Sequence, residues 1–129
     1  MSLKRLILQK DDDFQIDVDS TDDIEVLKEI ALDNPDYRIR LKAVFRISDD
    51  EFLKGIVEND PNRKVKIHAV ENIERLDFLE DISRNNSDCH VRLKAIGKID
   101  DGKILEGILE NESNLSVKKI IIEKLKRIM

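Results

Sequence analysis

The chain copies itself every 26 residues, without an insertion, over most of its 129 residues. Leu27, Leu53, Leu79 and Leu105 fall in one column, and Ile30, Ile56, Ile82 and Ile108 in a second. Three more columns are almost wholly apolar: Ile39, Val65, Val91, Val117; Ala43, Ala69, Ala95, Ile121; and Ile47, Ile73, Ile99, Leu125. A fixed period of this length marks a repeat architecture, in which each unit is too small to bury its own apolar face and does so only by stacking on its neighbours. The register defines four repeats, 22–47, 48–73, 74–99 and 100–129, forming one domain behind an N-terminal capping segment, 1–21.

Inside a repeat the apolar spacing is helical and comes in two blocks. In the first copy Ile24, Leu27, Ile30 and Ala31 form one stripe and, after a polar break, Ile39, Ala43, Val44 and Ile47 form another. Each repeat is thus a pair of helices, A of about 10–12 residues and B of about 12, and the fold class is all-α. Asn34 before Pro35 and Asp60 before Pro61 put a capping side chain ahead of a proline whose missing N–H costs nothing in a first helical turn. Asn86 with Ser87 serves the same end, and Ser48-Asp49-Asp50-Glu51 reads as a capping box opening the second helix A. The column Leu41, Ile67, Leu93 ends in Lys119, a charge suited to the last repeat of an array. In segment 1–21, Leu3, Leu6 and Ile7 suggest a short helix, Phe14, Ile16 and Val18 an extended stretch, and Asp11-Asp12-Asp13 a solvated loop.

Each copy also carries Asp, Asn or Glu followed at fixed distance by an aliphatic, a basic residue and a small one: Asn34 with Ile39-Arg40 and Ala43, Asp60 with Val65-Lys66 and Ala69, Asn86 with Val91-Arg92 and Ala95, Glu112 with Val117-Lys118. In this the repeats resemble HEAT and armadillo-like repeats, especially the short prokaryotic type grouped with bilin-lyase HEAT-like repeats. The resemblance implies a short right-handed α–α superhelix lined on its inner side by the B helices. It also implies a ladder of polar contacts between neighbouring repeats, with Asn34, Asp60, Asn86 and Glu112 as acceptors and Arg40, Lys66, Arg92 and Lys118 as donors. The residues point the same way: Arg40 lies about 100° around the helix from Ile39, in the middle of an apolar arc. A charge there needs a partner in the loop of its own or an adjacent repeat.

Composition narrows the function. No apolar run approaches the roughly 20 residues of a membrane span, and no secretory signal pattern opens the chain, so a cytoplasmic protein without membrane partners is expected. Cys89 is the lone cysteine, so no internal disulfide is expected. Neither a glycine-rich phosphate loop nor a nucleophile beside a base is visible, and no enzyme activity or cofactor is expected. The resemblance raises lyase and alkyl-DNA glycosylase activities. There is no Trp to stack on DNA, and the acids of the B segments are few: Asp36, Glu71, Asp88 and Glu123. Cys89, His90 and His68 do not make a metal site, because helix neighbours diverge by about 100° and no further ligand completes a tetrahedron. Gly55 and Gly107, in one column of helix A, read as close-packing positions.

A net charge of −5 conceals a separation. The four helix-A segments total −12 and the four helix-B segments +11. Apart from the ladder column, the outward side of the B helices presents Arg38, Lys42, Arg46, Lys64, His68, His90, Lys94, Lys98 and Lys124. Either neighbouring acids and salt leave this face only mildly charged, or it binds an acidic protein surface or a nucleic-acid backbone. Only Tyr37 and Phe45 offer aromatic platforms there, which disfavours single strands. The expectation is an interaction or assembly module for an acidic protein, with duplex binding as the alternative and a lyase-like enzyme third. Ile120, apolar in a polar column, leaves open a monomer or a weak homodimer.

Overall fold

The computed structural model describes residues 18–129. Among them are eight helices and no strand, two helices to each repeat. The first unit, ending at Asn72, holds α1 (Ile24–Asp33), α2 (Tyr37–Phe45), α3 (Asp50–Asn59) and α4 (Arg63–Asn72). The second, Ile73–Met129, holds α5 (Leu76–Asn85), α6 (Cys89–Gly97), α7 (Gly102–Asn111) and α8 (Leu115–Ile128). Odd-numbered helices are the A helices, even-numbered ones the B helices, and in every repeat A packs on its own B.

The periodic columns are the core. The Leu27 and Ile30 columns and the Val91 and Ala95 columns are buried wherever a helix carries them, Ile39 alone being partly open. Full burial of one such aliphatic side chain contributes about 1.5–3 kcal/mol relative to exposure. Ser83 is the one hydroxyl in this layer, and it donates to the Leu79 carbonyl at 2.7 Å within α5, which removes the cost of burying it.

The helix starts differ from the sequence expectation in a consistent way. Helix α3 is capped by Asp49, which accepts from the Phe52 N–H, and not by Ser48. The B helices begin at Asp36, Asn62, Asp88 and Asn114, whose side chains accept first-turn N–H groups. Asn34, Asp60, Asn86 and Glu112, two residues earlier, instead close the preceding A helices in extended conformation. Pro35 and Pro61 therefore lie in the bend, not in the first helical turn. A residue before proline is driven out of the helical region, so these prolines terminate helix A. The B helices of the first three repeats run to 9 or 10 residues, shorter than expected, while α8 reaches 14. Residues 1–17, with the acidic run and the expected short helix, lie outside the described residues. Val18, expected in an extended stretch, is a buried turn residue.

Candidate functional site

The ladder column does two jobs in one place. Asn34, Asp60, Asn86 and Glu112 each accept, at 2.9 Å, the backbone N–H two residues on, which bends the chain from helix A into helix B. Two of them also receive an arginine from the repeat before. Arg40 grips Asp60 through Nε and Nη2 at 3.0 and 3.2 Å and donates Nη1 to the Asn34 carbonyl. Arg92 grips Glu112 at 3.0 and 2.9 Å and donates Nη1 to the Asn86 carbonyl. Each guanidinium thus joins the loops of two successive repeats. Burial pushes the Glu112 carboxyl up, but the Arg92 guanidinium, the Asn114 and Ser113 N–H groups and the Arg92 charge together hold it below the usual range. Lys66 and Lys118, in the donor column, make no ion pair among the described residues. In register the acceptor column is acidic only where the residue 20 positions earlier is Arg.

Arg46, Lys98 and Lys124, expected on the outward side, fall in one polar column whose side chains reach back along the chain, and of the three only Lys124 is buried. Arg46, Asn72, Lys98 and Lys124 are equivalent, one per repeat. Arg46 donates to the Val18 carbonyl at 2.8 Å and to Asp22 at 2.7 Å. Asn72 Nδ2 reaches the carbonyls of Val44, Phe45 and Ile47 at 3.0–3.2 Å, and Lys98 that of Ile73 at 2.6 Å. Lys124 reaches those of Ile96 and Gly97 at 2.9 and 2.8 Å, with Asp100 at 3.3 Å. Helix C-termini leave carbonyls without intrahelical partners, and the amide or ammonium of the following repeat supplies the donor. The Lys124 side chain is only 11% exposed, so it is removed from the basic face; Lys98 is half-buried against the Ile73 carbonyl, and Arg46 stays exposed while it binds the turn at Val18. The shared property of the column is hydrogen donation, which Asn72 signals in the sequence; a tally of charges misses it.

What remains of the face is compact. In the first unit Arg38, Lys42 and Lys64 are exposed on α2 and α4, beside half-buried His68. Phe45, 67% exposed, meets the His68 ring edge-on at 5.4 Å. Arg38 is bound by Asp36 of its own N-terminus, whose carboxyl is held below the usual range by the Arg38 guanidinium and then by its N–H. Lys42 pairs at 3.3 Å with exposed Asp19. Lys64 has no ion pair among the described residues. In the second unit the face reduces to exposed His90 and half-buried Lys94. Cys89 is half-buried, and no group of three His, Cys, Asp or Glu among the described residues is placed to hold a metal.

The opposite, helix-A side carries a cleft that the sequence did not signal. It measures about 410 Å³ and is lined by Ala31, Leu32, Phe52, Gly55, Ile56 and Pro61, with Arg40 and Asp60 among its polar lining and Glu51 and Asn59 beside them. Gly55 is not a close-packing glycine, because a Cβ there would meet nothing within 4 Å. Gly107, its equivalent, is covered: the Arg84 guanidinium lies 2.6 Å from where a Cβ would be.

Among the described residues no helix is long and apolar enough to cross a membrane. No protein-family model, curated protein or solved structure matches this chain, so its site is read from the geometry above.

Proposed function

We propose that this protein is a cytoplasmic interaction or assembly module of HEAT-like repeats, a binder and not an enzyme, which takes an acidic protein segment on its B-helix face. The carrying observation is the α2/α4 surface, which carries exposed Arg38, Lys42 and Lys64 together with a solvent-exposed Phe45 that meets His68. Exposed cations contribute little affinity singly but steer an oppositely charged partner, and an exposed aromatic beside them supplies the apolar anchor that interfaces favour. The surface pairs of Arg38 and Lys42 are solvent-screened and exchangeable, so an incoming carboxylate can replace Asp36 or Asp19 at small cost.

The experiment is capture of partners from native lysate on the wild type and on Lys42→Glu/Lys64→Glu/Lys94→Glu, at low and high salt, with and without nuclease. The proposal expects protein partners that survive nuclease, weaken with salt and are lost from a variant that keeps its helical content. Partners equally retained by the variant remove the face from consideration. Material released by nuclease and salt transfers the same face to duplex nucleic acid.

A further inference from the structure

One row of side chains recurs on the B helices and changes on α8. It is Tyr37, Leu41 and Val44 on α2, Cys89, Leu93 and Ile96 on α6, and Leu115, Lys119 and Ile122 on α8. On α2 and α6 the row is half-buried, with Val44 and Ile96 wholly so. There the next B helix of the same unit lies alongside: Asn72 of α4 donates to the Val44 carbonyl and Lys124 of α8 to that of Ile96. On α8 the row is open, with Ile122 42% exposed and Leu115 and Met129 more so. Leu115, Ile122 and Met129 follow one another at seven residues, two helical turns, and so align along one edge of the helix. Lys119 and Lys126, each four residues further on, run beside them.

We infer that this edge of α8 binds an acidic amphipathic helix of a partner protein. Aliphatic side chains at heptad spacing are what a partner helix packs on, and the charges select which helix. Lys119 stands where α2 and α6 carry leucine, and Lys119 and Lys126 are exposed and make no ion pair among the described residues. Half-buried Lys118, equally unpaired, lies about 60° from Leu115 on the other flank. Its equivalents Arg40 and Arg92 show what that position takes, since each holds a carboxylate, Asp60 or Glu112, from the loop that leads into the next B helix. Glu123 is the one acid of α8, against five basic residues, so the edge keeps its positive charge. A further basic helix of the B type is repelled there, and a second α8 would set its own lysines against these. A helix with leucines toward the row and glutamates along its flanks matches both the apolar and the charged parts. The edge shares no residue with the α2/α4 surface, so the inference does not depend on the reading given to that surface.

The test is a titration of the whole protein with a fluorescein-labelled helical peptide of about 20 residues, leucine at its a and d positions and glutamate at e and g. Binding is read by anisotropy and by amide chemical shifts, and the control peptide carries lysine in place of every glutamate. The expected result at low salt is saturable binding with a midpoint on the order of 100 μM and shifts centred on Leu115, Ile122 and Met129. The lysine peptide is expected to bind at least about tenfold more weakly. Leu115→Asp/Ile122→Asp should abolish the shifts and Lys119→Glu/Lys126→Glu should reverse the preference between the peptides, both with helical content unchanged. Lys42→Glu/Lys64→Glu, on the other surface, should bind as wild type does. Equal binding of the two peptides, no saturable shift on α8, binding indifferent to both α8 variants, or its loss in Lys42→Glu/Lys64→Glu would overturn the inference. So would a wild type that sediments as a dimer and is dissociated by Ile122→Asp, because the edge would then belong to a second copy.

Discussion

The two units build one framework and close it differently. In the first, the B helices α2 and α4 lie close together while the A helices α1 and α3 are less closely approached, and a cleft opens between them. In the second, α5 and α7 pack, and α6 and α8 approach each other less than α2 and α4 do. The capping column gives a physical reason. Asn72 has a short amide that reaches the α2 carbonyls only if the backbones are near. Lys124 does the same work with a long stem, which spans a wider gap to α6. Within each unit, then, the length of the side chain at this position matches how closely its B helices approach.

The arginine clamps are the strongest common element, and removing one is the severest way to break the comparison. Asp60→Ala strands the Arg40 guanidinium, whose side chain is 9% exposed, and should cost about 3–5 kcal/mol in chemical denaturation. Glu112→Ala strands Arg92 at 13% exposure and should cost somewhat less. Equal losses of under about 1 kcal/mol from both would mean that the clamps behave as ordinary surface pairs.

A smaller effect bears directly on the capping column. Asn72→Ala and Lys124→Met should each cost about 1–2 kcal/mol, because helix-end carbonyls lose their donor. Asn72→Lys is the sharper version: a lysine at that position should restore most of the loss and shift the α2/α4 spacing toward that of α6 and α8. A lysine as damaging as alanine would show that spacing is set by the apolar core and not by the cap.

The glycines separate the two A-side arrangements. Gly55→Ala places a methyl in open space within a helix, and should stabilise by about 0.5–1 kcal/mol through lower unfolded-state entropy. Gly107→Ala gains the same entropy but displaces the Arg84 guanidinium, and should come out near zero. Identical thermal shifts for the two would remove the evidence that Arg84 covers Gly107.

How much of this was readable beforehand follows from what sequence columns record. Apolar columns are a direct image of burial, so Leu27, Ile30, Val91 and their equivalents located the helices and core. The ladder residues were visible because a charge at Arg40 sits in an apolar arc and demands a partner. Their second task, turning helix A into helix B, was not: Asn34 reads equally well as the cap of the next helix, and only the hydrogen bonds distinguish the two, the Asn34 side chain accepting the Asp36 N–H in the bend while Asp36 accepts the Arg38 N–H at the start of α2. Lys124 was misplaced because a long cation on a helix looks outward until the neighbouring carbonyls are in place. The cleft had no signature at all, since Leu32 and Gly55 are ordinary helix residues and the space between them arises from helix spacing.

The smallest expected effect concerns pH and tests the second clamp without removing it. Glu112 has a carboxyl held below its ordinary value in the folded chain, against about 4.3 when unfolded. A carboxyl lowered by folding stabilises the protein above its unfolded value, and that contribution is lost as pH falls through the folded one. Wild type should therefore lose stability on acidification more steeply than Glu112→Gln, which has no charge to lose, and their denaturation midpoints should converge as pH falls below about 4. Parallel curves would mean that protonation of Glu112 leaves the Arg92 contact intact, and that the clamp owes its strength to hydrogen-bond geometry and not to ionisation. In that case Glu112→Gln should also retain nearly full stability at neutral pH, so one pair of proteins measured at two pH values decides between charge and shape as the basis of the second clamp.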